Sequence, residues 1–170
     1  MNIQMRRAQF ALAAMIALCT LTAVGQKAPK PMSAKKLDAL EQTALATMKA
    51  KAAELKVTGV AVASFAPGET TDAWTSQMAV VGRMTDPVAS DGKGNNMLGI
   101  AYAKSAEMAR THVNSGTAPC KPMVAEFCWQ GGAIEKVKGG WVIVAFSGAT
   151  GEQDFMVSQT GLAAMKAGIQ

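Results

Sequence analysis

The chain is poor in the groups that most enzymes and metalloproteins use. It has one histidine, His112, and three cysteines in 170 residues. A structural zinc site takes three or four histidine or cysteine ligands at set spacings, and one imidazole with Cys120 and Cys128 does not supply them. A Ser-His-Asp triad would need His112 as its base, and no strand-serine-helix elbow surrounds any serine. Glu152 and Asp154 form a pair of neighbouring carboxylates, but a helix-capping role accounts for both. Composition therefore argues against a self-sufficient hydrolase. Aromatics make up 5% of the residues, so the core has to come from small aliphatic groups and methionine. The lysines are scattered and not interleaved with aromatics, which gives no reason to expect a nucleic-acid partner. No internal repeat at a fixed period is present.

The first 25 residues read as a leader. Arg6 and Arg7 precede the apolar run Ala8–Leu21, and Ala23-Val24-Gly25 offers small residues for cleavage. That run is shorter than the roughly 20 residues a membrane span needs. The expectation is an exported protein, periplasmic or secreted, with residues 1–25 a signal peptide, 26–33 an extended mature N-terminus and 34–170 one domain. Losing Arg6 and Arg7 lowers the basic count from 17 to 15 against 12 acids, a net +3. Cys120 and Cys128 then meet an oxidising compartment, where an even pair normally closes. An intramolecular disulfide is expected, with intersubunit pairing as the alternative.

The organising stretch is Trp141–Ala167. Val142–Phe146 is an unbroken apolar run rich in β-branched residues, the pattern of a central strand covered on both faces. Ser147, Gly148 and Ala149 break it, and Thr150-Gly151-Glu152-Gln153 has the form of a capping box that starts a helix. Glu152 and Asp154 in its first turn suit the helix dipole and would repel a phosphate.

Upstream, Leu37, Leu40, Ala44, Met48, Ala52 and Leu55 recur at helical spacing behind the N-cap Ser33, which predicts an amphipathic helix over 34–56. Val57–Phe65 and Ala73–Met84 flank Pro67-Gly68 as a hairpin, and Gly131–Val137 and Trp141–Phe146 flank Lys138-Gly139-Gly140 as another. Residues 85–96 read as a loop. A second helix is predicted over Met97–Val113, stopped by Asn114-Ser115-Gly116 with Gly116 as the left-handed cap. At 100° per residue, Lys104, Glu107, Arg110 and Thr111 share a polar arc, and Met97, Ala101, Ser105, Met108 and His112 share an apolar one. His112 there is either a core histidine satisfied locally or a ligand to a flat apolar cofactor.

The order apolar strand, Ser-Gly, Thr-Gly-Glu-Gln-Asp, helix, Gly-Leu-Ala-Ala resembles the C-terminal signature of the GlcG/HbpS-like family, a small haem-binding or "haem-degrading" domain. Gly131-Gly132-Ala133-Ile134 resembles its Gly-Gly-x-Pro-Ile segment, with alanine in place of proline. Arg83-Met84 resembles its Arg-Met at the end of the second strand, though Thr85-Asp86-Pro87 departs from the Asp-Gly-Ala that follows there. The resemblance runs from about the first helix to Ala167. It implies an α/β (α+β) single domain, an antiparallel sheet flanked by three main helices in a profilin-like sandwich, assembling into homo-oligomers. It also implies haem or a related tetrapyrrole as ligand, and in some members a membrane sensor as partner.

Combining the two readings gives an exported oligomeric binding protein for haem or a similar apolar small ligand. The candidate ligand set is His112 as axial donor to the haem iron, with Met108, Met97 and Arg83 around it. The exit of the Val142–Phe146 strand, Gly148, Thr150, Gly151, Glu152, Gln153 and Asp154, is read as a structural loop. Two alternatives stay open: a non-catalytic oligomeric scaffold or sensor-partner protein, and an accessory enzyme of hydroxy-acid metabolism.

Overall fold

In the computed structural model the described residues are 32–87, 92 and 94–169. The leader at 1–25, residues 26–31 of the extended N-terminus, and residues 88–91 and 93 of the 85–96 loop lie outside them. The elements run α1 (Ala34–Leu55), β1 (Gly59–Pro67), β2 (Thr75–Val81), α2 (Met97–Thr111), β3 (Gly132–Val137), β4 (Gly140–Ser147) and α3 (Gly151–Ile169). The strands form one antiparallel sheet in the order β2-β1-β4-β3. Both expected hairpins are present, and β1 joins them by pairing with β4, Ala61 opposite Phe146 and Ala63 opposite Val144. The described residues thus form an α+β single domain with three helices on a four-stranded antiparallel sheet.

Helices cover both faces, which is why the two central strands carry almost no polar side chains. Successive strand residues point to opposite sides, and the core divides accordingly. Ala61, Ala63, Phe65, Val142, Val144 and Phe146 face α1 and α3, packed with Leu45, Met48, Val157 and Met165. Val60, Val62, Ile143 and Ala145 face the other way, onto Met97, Ala101, Met108 and Ala109 of α2. Among the described residues no helix is long and apolar enough to cross a membrane.

Three local readings differ from the structure. The α2 helix ends at Thr111, and its left-handed cap is His112 at φ 55, whose N–H donates to the Met108 carbonyl. Gly116 also has positive φ, but it lies in the turn beyond, where its N–H donates to Glu107 Oε1. The polar arc of α2 is not a solvent face: Lys104 and Glu107 are 4% and 3% exposed. The segment 112–131, which carries no regular element, folds back against Glu107 and Arg110, and Arg110 stays exposed where it pairs with Glu126.

Candidate functional site

Phe146 is the last residue of β4 but one, and β3 stops pairing at Gly132 opposite Ala145. Its carbonyl is taken instead by Lys104, which reaches from α2 past the end of the sheet. The Lys104 ammonium donates to Phe146 O at 2.9 Å and to Asp154 Oδ2 at 2.7 Å. Asp154 stands in the first turn of α3 on the opposite face of the sheet, and its other oxygen accepts the Ala149 N–H at 2.9 Å. One buried ion pair therefore clamps the two helical layers together. Burial pushes the Lys104 ammonium pKa down against the opposing pull of Asp154. It pushes the Asp154 carboxyl up against the opposing pull of Lys104, as expected when both charges leave water. Asp154 is thus more than the dipole partner its position in the first helical turn predicts.

The Gly131-Gly132 pair belongs to this arrangement. Gly131 has φ +127, and a Cβ there would lie 2.5 Å from both Lys104 Nζ and Asp154 Cβ. A Cβ on Gly132 would meet the Met108 methyl at 2.4 Å. The doublet gives the clamp and the Met108 side chain their space.

The capping box closes as its sequence specifies. The Gln153 N–H donates to Thr150 Oγ1 at 3.3 Å, and the Thr150 N–H donates to Gln153 Oε1 at 3.4 Å. Both groups are exposed, so Thr150→Ala is expected to lower stability by about 1 kcal/mol and to leave ligand affinity at wild-type strength. Urea melts and a binding titration on the same preparation check both halves; lost affinity with an unchanged midpoint would make this loop part of the site.

The clamp forms the floor of a cleft of about 380 Å³. Met97 and Ile100 of α2 supply an apolar wall, Ser147, Gly148 and Ala149 the opposite side, and Trp129 the lip. Trp129 stacks on Phe127 at 4.9 Å between ring centroids. These two rings are 45% and 50% exposed, an unusual solvent face for the largest apolar side chains. Arg83 borders the cleft through its bond to the Gly148 carbonyl at 3.1 Å and its ion pair with Asp86 at 2.8 Å. The Thr85–Asn96 bridge brings together the two ends of the 85–96 loop.

The lip is held by its own ion pair. Arg110 donates through Nε and Nη2 to the two Glu126 oxygens at 2.8 and 2.6 Å, and the Met123 N–H adds a third bond at 2.9 Å. The Arg110 hydrogen bond, then that of Met123, holds the Glu126 carboxyl at about 2. A depressed carboxyl contributes stability that is fully present above its unfolded pKa, about 4.3, and is lost as pH falls through the folded one. The lip is therefore expected to stay docked at pH 5 and above and to release on approach to pH 2. Trp129 emission, compared between wild type and Glu126→Gln, reads this; an acid transition identical in both would show that Glu126 does not hold the lip.

The four residues expected around one ligand do not converge. Met97 lines the cleft and Arg83 borders it, but Met108 is fully buried in the core against Gly132. His112 is exposed at the far end of α2, about 20 Å from Met97 by the helical rise, with its ring stacked on Trp141 at 4.2 Å. The sequence reading did not single out Lys104 and Trp129, which line the cleft. Trp129 and Phe127 carried a usable signal, two aromatics in an aromatic-poor chain beside Cys128 in a stretch without periodicity.

No family model matches the chain, and no curated protein matches it. Among solved structures, the one described as "Crystal Structure of PduOC:Heme Complex" is similar, with a TM-score of 0.49 and 17% identity over 79% of this chain and 95% of that one.

Proposed function

We propose that this protein is a binding module for haem or a related planar, apolar small ligand, seated in the cleft between α2 and the β4–α3 junction. The observation that carries the reading is the exposed Phe127–Trp129 stack at the lip of a cleft walled by Met97 and Ile100. Exposed aromatic faces beside a concave apolar wall suit a flat ligand. The cleft volume lies at the small end of the range for ligand sites, so part of a tetrapyrrole would rest on the lip outside it. Met97 is 4% exposed and its sulfur accepts the Ser147 hydroxyl at 3.7 Å, so it serves the cleft as apolar wall, and Arg83 is the cation at its border for a carboxylate-bearing edge. The resemblance of the β4–α3 signature to the haem-binding GlcG/HbpS-like domains supports the same ligand class.

A second reading keeps His112 as the iron ligand, because its exposed ring is held in place by Trp141. On that reading the ligand would sit at the opposite end of α2, near Trp74 and Ala109, where a second hollow of about 380 Å³ opens. Export, self-association into an oligomer and a membrane-sensor partner complete the proposal. Haemin titrated into the mature protein should give a saturable Soret shift at one equivalent per chain. Absence of any shift would favour the scaffold reading.

A further inference from the structure

The geometry points to a redox-gated metal site at Glu107, Cys120 and Cys128, in which reduction of the disulfide frees two thiols that bind as thiolates, with the Glu107 carboxylate, around a zinc-class divalent cation. Among the described residues these three bring one carboxylate oxygen and two sulfurs within 4.8 Å of one another. Metal–sulfur bonds of about 2.3 Å and metal–oxygen bonds of about 2.1 Å place ligand atoms roughly 3.6–3.8 Å apart on a tetrahedral ion, so a small side-chain adjustment suffices. Counting only histidines and cysteines along the sequence leaves such a site out, because its third ligand is a glutamate from α2.

In the oxidised protein Cys120 and Cys128 are bonded, with Cα atoms 5.8 Å apart. Neither sulfur then carries a proton, so the 3.7 Å approach of Cys120 Sγ to Glu107 Oε1 is a contact and not a hydrogen bond. Glu107 is 3% exposed and accepts the Gly116 N–H at 2.7 Å. A buried carboxylate beside two sulfurs is the mixed hard and soft donor set that zinc-class ions accept.

The three groups stay together without the covalent bond. Arg110–Glu126, Arg110–Lys121 and Gly116–Glu107 tie the chain on either side of Cys120 to α2 by hydrogen bonds alone. Cys128 also lines the cleft, and three protein ligands leave a tetrahedral ion one position for water. The steps balance. A dithiol gives two electrons and two protons to the disulfide and closes to its own disulfide, and the cation then displaces the two cysteine protons to solvent.

The test uses the mature protein, reduced with a phosphine that is then removed without air, and cadmium ion as the probe. Reduced wild type should bind one cadmium per chain with a thiolate charge-transfer band, and oxidised protein none. Both thiols should become protected from alkylation, and zinc should displace the cadmium. Glu107→Gln should weaken the affinity by at least the ten- to hundredfold typical of lost metal-site partners. Should that variant not fold, the cadmium NMR shift of wild type still reads two sulfurs plus oxygen. No binding after reduction, an unchanged affinity in folded Glu107→Gln, or a sulfur-only ion bridging two chains would overturn the proposal.

Discussion

Lys104→Met and Asp154→Leu are each expected to destabilise the domain by about 3–5 kcal/mol, the usual effect of leaving one member of a buried ion pair alone. The Asp154 carboxylate would keep the Ala149 N–H but lose its cation, and the Lys104 ammonium would keep only the Phe146 carbonyl. At this chain length that corresponds to a fall in melting temperature of roughly 6–20 °C. The double variant Lys104→Met/Asp154→Leu should recover most of the loss, because an apolar pair avoids the desolvation that moves both pKa values toward the neutral forms. Denaturant melts of the four proteins form a closed cycle. Single-variant losses that simply add in the double variant would mean that the two groups act independently and do not clamp the layers.

Gly131→Ala should be the most damaging of the glycine substitutions next to the clamp. Positive φ in a sparsely populated region costs a non-glycine residue about 1–3 kcal/mol. The new methyl would also drive the Lys104 ammonium off its acceptors, and overpacking of this kind adds about 1–3 kcal/mol. Gly139→Ala is the control, since it has φ +85 with nothing near its Cβ position and bears only the backbone term. The difference between the two urea midpoints at constant m-value isolates the packing part. Equal losses would show that the Gly131 backbone alone is at stake.

These two variants bracket what could be read along the chain. Everything that follows from regular periodicity was legible: α1, the two hairpins, the doubly buried β4 and the capping box that opens α3. The clamp was not, because a helical wheel assumes one buried side and one wet side. On α2 part of the polar arc is buried too: Lys104 against Phe146 and Asp154, and Glu107 under a 112–131 segment that has no period of its own and is fixed by single contacts such as Gly116 to Glu107 and Arg110 to Glu126. The same wheel misplaced His112. Carrying the 100° step one residue past the last helical residue puts its ring in the apolar sector, whereas the left-handed cap conformation turns it out onto Trp141. Gly131 and Gly132 could be recognised as a motif from sequence, but their reason appears only once Lys104, Asp154 and Met108 are seen beside them.

The most direct measurement is a haemin titration, followed at the Soret band, of wild type, Trp129→Ala and His112→Ala. With the ligand in the cleft, Trp129→Ala should weaken binding about tenfold, the equivalent of roughly 1.4 kcal/mol for a lost aromatic contact. His112→Ala should bind as wild type does, because its ring stands at the other end of α2. A loss confined to His112→Ala, with Trp129→Ala unaffected, would contradict the cleft and move the ligand to the Trp141 end of the helix.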